Sequence, residues 1–255
     1  MVKRKLNYKN LLLFLLFFFF ICLFLFSVIK ILIYLNDNHK NKKIKDSILE
    51  QHVEYVPSTE DTPSSYKVDF EALKKDNPDT IAYLKVFGTD IDYVVVRGED
   101  NSYYLKHNFY HEWNVSGWVF SDFQNRFDGT DQNIVIFGHN TQDGSMFGSL
   151  KNVLSDEWRS KEDNQKILLV TELGTFYYQV FSTYVIEPED YYIQTSFSSD
   201  DYSSFLNTIK SRSSYPYDVS LDTNDSILTL SSCNISGSKR IVLHAKLLTV
   251  PDFAS

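Results

Sequence analysis

The chain has 255 residues, 43% hydrophobic and 23% charged, which suits one large folded domain or two small ones and excludes a disordered or collagen-like chain. The formal charge of −8 hides an asymmetry, because residues 1–45 carry nine Lys/Arg and one acid, leaving 16 basic against 32 acidic residues in the remainder. So acidic a body has no electrostatic footprint for a phosphate backbone, which argues against a nucleic-acid partner; the two cysteines, Cys22 and Cys233, cannot build a disulfide framework, and no Cys- or His-rich spacing marks a structural metal site.

From Leu11 to Ile29 the sequence LLLFLLFFFFICLFLFSVI runs 19 residues without a charge, and as a helix it rises roughly 28 Å, enough to span a bilayer. A secretory signal has a shorter apolar region leading to a small-residue cleavage site, whereas Lys30 and ILIYL follow here. Residues 11–35 are therefore expected to be an uncleaved, single-pass signal anchor behind a short tail, residues 1–10. Lysines flank both sides, Lys3, Lys5 and Lys9 with Arg4 before it and Lys30, Lys40, Lys42, Lys43 and Lys45 after it, so counting positive charge does not decide the orientation. Residues 36–65, lysine-rich early and Ser/Thr/Pro-containing late, read as a stalk in which Ile44, Ile48, Leu49, Val53 and Val56 are spaced for one face of a short helix before Pro57. A second helical pattern, Tyr66 to Lys75, ends at Asn77-Pro78, where proline pushes the preceding residue out of the α region. The folded domain, residues 66–255, starts with it.

Beyond Thr80 the texture changes to short runs of Val, Ile, Tyr and Phe bounded by Gly, Asp and Asn, which signals a β-barrel or sandwich. Strands are expected near Ile81–Phe87, Ile91–Arg97, Gly117–Phe120, Asn133–Phe137, Lys166–Glu172, Thr175–Ile186, Ser226–Ser232 and Arg240–Val250, a barrel-sized set. Two short helices interrupt them, around Asn101–His107 and Asp200–Arg212.

Cys233 closes the apolar strand SILTLSSC and is followed by NISGSK, so its thiol stands at a strand end beside a loop. A lone cysteine is commonly a small buried hydrophobe. Here Arg240 opens the next strand, RIVLHAKLL, and a short loop brings its guanidinium back toward the thiol, where a fixed cation lowers a thiol pKa and donates to a developing oxyanion. His139 ends the apolar run NIVIFGH, also at a strand terminus. Cysteine, histidine and arginine at three strand ends supply a nucleophile, a proton shuttle and a charge stabiliser. His244 shares a strand face with Arg240 and Val242, but its place inside a regular strand favours packing. There is no G-x-S-x-G elbow, P-loop or dinucleotide glycine fingerprint.

These pieces together resemble the sortases, membrane-anchored cysteine transpeptidases of Gram-positive bacteria, and within them class B. The matching text is NPDTIAYLKVFGTDIDYVVVRGEDNSYYLKHNF, then IVIFGHNTQDGSMFGSL, then TLSSC with arginine seven residues on, and it covers residues 66–250. The resemblance implies a mainly β (α+β) fold, a sortase-type eight-stranded β-barrel with N-terminal helices and an extra helix before the strand that carries the cysteine. It also implies a cytoplasmic N-terminus with the catalytic domain outside the cell. By position, Cys233, His139 and Arg240 are similar to the family's catalytic trio, and Asn101, Leu105, Tyr192, Ile193 and Ser231 match positions that line its peptide groove.

The implied substrates are surface proteins bearing an NPxTx or SPxTG-type sorting signal, cleaved after Thr through a thioacyl-enzyme and passed to a peptidoglycan amine, with no cofactor and no calcium. A peptidase using water as acceptor, or a non-catalytic membrane-tethered peptide-binding barrel, stays open beside this reading. Two departures from the family pattern stand out: Ser232 replaces the usual threonine while keeping the hydroxyl, and Asn234 follows the cysteine where some relatives have an acid. Asn77-Pro78-Asp79-Thr80 itself looks like a sorting signal, but no hydrophobic tail and basic terminus follow it, so it reads as a helix stop.

Overall fold

In the computed structural model, residues 8–57, 65–233 and 239–248 are described. The tail residues 1–7, residues 58–64 of the segment read as a stalk, the loop containing Asn234 and the last expected strand residues 249–250 lie outside them.

The first helix, α1 (Tyr8–His52), is continuous for 45 residues, from the apolar run into the lysine-rich segment. The apolar run Leu11–Phe26 is exposed along its length, and α1 is the one helix among the described residues long and apolar enough to cross a membrane. Residues 37–48, within the segment read as a stalk, pack on the barrel instead: Ile44 and Ile48 join its core cluster, and Asp37, Asn38 and Asn41 are buried. Val53 and Val56 leave the helix as part of strand β1 (Val53–Val56), which pairs antiparallel with β2 (Ser65–Val68). The helix expected from Tyr66 thus starts later, as α2 (Phe70–Asp76), because residues 66–68 take cross-strand partners and the Asp69 side chain caps the Ala72 N–H. It ends as expected at Asn77, whose buried amide donates to Phe109 O at 2.7 Å. The NPDT segment is therefore a turn locked into the fold.

The barrel strands are β3 (Thr80–Val86), β4 (Asp92–Val96), β5 (Phe120–Ser121), β6 (Asn133–His139), β7 (Lys166–Thr171), β8 (Gly174–Ile186), β9 (Ile227–Cys233) and β10 (Arg240–Leu247). They close in the order β10-β8-β7-β3-β4-β5-β6-β9, a mixed barrel in which β4–β5 and β6–β9 run parallel and the other described pairs antiparallel. Side-chain alternation sends one set inward, where Leu84, Val95, Ile136, Leu230 and Leu243 share a core cluster. A second cluster lies outside β8, β9 and β10, under α4 (Ser199–Ser211), the helix expected before the cysteine strand. Its residues Tyr202, Phe205, Leu206 and Ile209 recur at helical spacing and bury that face.

Two expected elements shrink. Gly117–Phe120 supplies only the two-residue strand β5, and Asn101–His107 only one 3₁₀ turn at Tyr103–Leu105, tied down by Asp100, which accepts from the Ser102 and Tyr103 N–H groups. Between β6 and β7 lie helical pieces with no sequence expectation, a 3₁₀ stretch at Gly148–Leu154, α3 (Asp156–Arg159) and a 3₁₀ turn at Glu162–Gln165.

Candidate active site

β6 and β9 are parallel neighbours whose register runs from Asn133↔Ile227 to His139↔Cys233. Directly paired residues in a parallel ladder stand on the same sheet face, so the backbone puts positions 139 and 233 side by side at the C-terminal ends of their strands. On the other flank of β9, Val242 pairs with Ser231. Two residues further toward the same barrel end stand Cys233 and Arg240, the first residue of β10, which is half-buried. Three strand ends therefore converge on one rim of the barrel, and they carry the three residues expected to do chemistry.

The His139 side chain is buried, and its Nε2–H donates to the Leu105 carbonyl at 2.8 Å. With Nε2 holding that proton, Nδ1 is the basic nitrogen of the neutral ring, and the carbonyl also stabilises the imidazolium once Nδ1 is protonated. Leu105 thus enters the site through its backbone, which a side-chain motif does not reveal. Gly138 sits under the ring of Phe147, and the Phe147 N–H donates to His139 O at 2.9 Å. Ser232, the departure from threonine, uses its hydroxyl oxygen to accept the Ile241 N–H at 2.8 Å, pinning β10 to β9 beside the cysteine.

The groove candidates divide into two sets. Asn101 is half-buried on the rim, donating to Asp122 Oδ2 at 2.7 Å and accepting from the Phe123 N–H at 3.0 Å. Tyr192 and Ser231 are fully buried and hydrogen-bonded to each other through their hydroxyls at 3.0 Å, so they lie beneath the surface next to β9. Ile193 is half-buried and packs against both the barrel core and the outer cluster.

One polar network was not foreseen. His244, on the outer face of β10, is fully buried between Thr229 and Tyr184, with Nδ1 at 2.8 Å from Thr229 Oγ1 and Nε2 at 2.8 Å from the Tyr184 hydroxyl. Thr229 donates its own proton to Asn133 Oδ1 at 2.7 Å, so it must accept from His244 Nδ1–H, and Tyr184 donates to Nε2. Burial, helped by the Arg212 charge, pushes the His244 pKa down to about 3, so the ring is neutral. The packing role expected for it takes the form of a hydrogen-bonded link between β9, β10 and β8.

Comparison with known proteins places the chain in a family of thiol enzymes that join peptide to amine. The family described as "Sortase domain" matches residues 84–248, and the chain belongs to the sortase family, the cysteine transpeptidases. Sortase B of Listeria monocytogenes is 31% identical over 230 residues, covering 89% of this chain and 92% of that protein. Sortase B of Staphylococcus aureus is 33% identical over 207 residues, 80% of each. A crystal structure of sortase B from Bacillus anthracis superposes with a TM-score of 0.73 at 32% identity, covering 84% of this chain and 99% of that one. The barrel with α4 ahead of the cysteine strand is thus the sortase fold.

Proposed function

We propose that the protein is a class B-type sortase anchored by residues 11–35, its N-terminus cytoplasmic and the domain from residue 66 extracellular, that joins surface proteins to the cell wall. Cys233 is the nucleophile, His139 the acid and base, and Arg240 the oxyanion donor. The observation that supports this best is the pairing of His139 with Cys233 at the ends of parallel β6 and β9, with Arg240 opening the strand on the other side. That arrangement supports reading His139 and Arg240 as the proton shuttle and charge stabiliser that flank the nucleophile.

The thiolate sulfur attacks the Thr carbonyl carbon of an NPxTx or SPxTG-type signal, and the oxyanion is held by Arg240. Collapse breaks the C–N bond, and the imidazolium of His139 gives its Nδ1 proton to the leaving amine, leaving a thioacyl-enzyme. A peptidoglycan amine then attacks, gives its proton to His139 and releases Cys233 as thiolate. Asn101, Leu105 and Ile193 line the peptide groove, and the Ser231–Tyr192 pair forms its floor.

The test uses the full chain in detergent with quenched peptides varied around NPxTx and SPxTG, comparing wild type with Cys233→Ala, with and without an amine acceptor. Cleavage that disappears in Cys233→Ala and turns into a ligated product when amine is added is the expected result. Cleavage that ignores the amine makes water the acceptor, and cleavage that survives Cys233→Ala removes the thiol from the mechanism.

A further inference from the structure

The barrel end of α1 is joined to the backbone that holds His139, and the joint is polar and buried. Asn41 and Asn114 face one another as a reciprocal amide pair, Asn41 Nδ2 donating to Asn114 Oδ1 at 3.0 Å and Asn114 Nδ2 to Asn41 Oδ1 at 2.9 Å, with both residues fully buried. Asn41 Nδ2 also donates to Gly117 O at 2.9 Å, and Asp37 Oδ2 accepts the Val115 N–H at 2.9 Å. The Ser116 hydroxyl donates to Asn38. Three helix positions at i, i+1 and i+4 therefore pair with the Asn114 amide, the Val115 N–H, the Ser116 hydroxyl and the Gly117 carbonyl of the 114–117 turn.

This turn carries the backbone of residues 104–106 on its other side. The Asn114 N–H donates to Lys106 O and the Trp118 N–H to Tyr104 O, both at 2.9 Å. Gly117 has φ +56°, and a Cβ there would fall 2.2 Å from Tyr104 O and 2.8 Å from the Leu105 carbonyl carbon, so the two backbones are in direct contact. Between Tyr104 and Lys106 lies Leu105, whose carbonyl takes the His139 Nε2 proton. A second thread reaches the other side of the histidine, where Tyr34 of α1 accepts the N–H of Gln142, three residues beyond His139.

We propose that Asn41, with Asp37, is a positioning residue for the transfer reaction: α1 is part of the enzyme, and its buried polar contacts fix the Leu105 carbonyl that orients the His139 imidazole. This rests on the reading of His139 as acid and base. Hydrophobic packing by Ile44 and Ile48 would be enough to attach a helix. Burying three polar side chains beside them costs desolvation that hydrogen bonds must offset, and the bonds that Asp37, Asn38 Oδ1 and Asn41 make to the turn fix one register of helix against turn. The chemistry gains a fixed tautomer, since a ring rotated away from Leu105 no longer keeps its proton on Nε2.

The experiment compares full-chain wild type, Asn41→Ala, Asp37→Ala, Asp37→Asn, the exposed-face control Lys42→Ala and His139→Ala in detergent. Turnover per active site, KM, and the ¹⁵N signals of the His139 ring are measured. Asn41→Ala and Asp37→Ala are expected to lower kcat about tenfold, the rate equivalent of one oriented hydrogen bond, with KM unchanged and the His139 Nε2–H signal reduced. Asp37→Asn, which keeps an oxygen for the Val115 N–H, is expected to restore the rate, and Lys42→Ala to match wild type. Should Asn41→Ala fail to fold, the Asp37 pair carries the comparison, because it removes one hydrogen bond at the edge of the joint. Wild-type kcat per active site and an unchanged ring spectrum in the alanine variants overturn the proposal while His139→Ala stays inactive; an active His139→Ala instead overturns the reading beneath it.

Discussion

His139 and Cys233 are the last register pair of the parallel ladder between β6 and β9. Parallel neighbours cannot be joined by a tight hairpin, and 93 residues separate the two positions in sequence, including β7, β8 and α4. The pair is therefore a product of barrel closure, and its spacing depends on β9 staying in register with β6. Asn133 and Thr229 hold the far end of that ladder through the Thr229 hydroxyl, at 2.7 Å.

Arg240 tests how much of the rate depends on a forked donor. It is half-buried at the first position of β10, so thermal melts are needed beside the kinetics to separate a loss of rate from a loss of fold. Arg240→Ala is expected to lower kcat by about 10²–10³, the usual loss for one oxyanion donor. Arg240→Lys keeps the charge, loses the planar fork and should fall between the two. Steady-state kinetics on a cleaved peptide, beside thermal melts, decides it; equal rates for all three would remove Arg240 from the chemistry.

Gly138 sets the height of His139 over the core. A Cβ at position 138 would lie 2.7 Å from Phe147 Cγ and 2.8 Å from its Cδ1, and Phe147 is fully buried with little room to yield. Gly138→Ala should cost about 1–3 kcal/mol of stability through overpacking. Because the Phe147 N–H is bonded to His139 O, the shift passes directly to the strand end that carries His139, and with His139 as the proposed acid and base kcat should fall at temperatures where the variant is fully folded. Chemical denaturation and kinetics at 20 °C together check both halves.

The strands were legible because Val, Ile, Tyr and Phe alternate between glycine and aspartate punctuation, a local signal that barrel closure reinforces. What failed was non-local. Tyr66–Val68 carry a helical pattern but pair with Val53–Tyr55, so cross-strand partners overrode periodicity. Residues 37–48 look like stalk because Asp37, Asn38 and Asn41 are polar, and only the turn at 114–117 shows that they are an interface. At the candidate site, Cys233, His139 and Arg240 could be proposed from strand ends and motif spacing, and what the structure adds is their meeting on neighbouring strand ends. The Leu105 carbonyl could not, since a backbone acceptor has no residue type to read.

Ser231 and Tyr192 offer a measure of how firmly the layer beneath the proposed groove is built. Their hydroxyls are 3.0 Å apart in a fully buried setting, so removing either takes a buried hydrogen bond from the other. Ser231→Ala and Tyr192→Phe should each cost about 1–3 kcal/mol, and the double variant distinctly less than their sum, because the shared hydrogen bond can be lost only once. A double-mutant cycle by urea denaturation gives the coupling directly, and strict additivity would show the contact to be energetically idle.

His244 makes stability depend on pH in a stated direction. Its folded pKa, about 3, lies below the ordinary histidine value near 6.5, so between these limits the unfolded chain binds a proton that the folded protein refuses. The stabilisation from a neutral, doubly bonded ring is therefore complete above about pH 6.5 and is lost as pH falls toward 3. Across that window it contributes a slope approaching 1.4 kcal/mol per pH unit, about one proton's worth, with stability rising as pH rises. Protonation would give Nε2 a hydrogen aimed at the Tyr184 hydroxyl, which already spends its own proton on that nitrogen. In His244→Gln the titrating group is gone, and the unfolding free energy measured between pH 4.5 and 7 should depend less steeply on pH by about one proton. Parallel curves for variant and wild type would mean that the buried ring titrates like an exposed one.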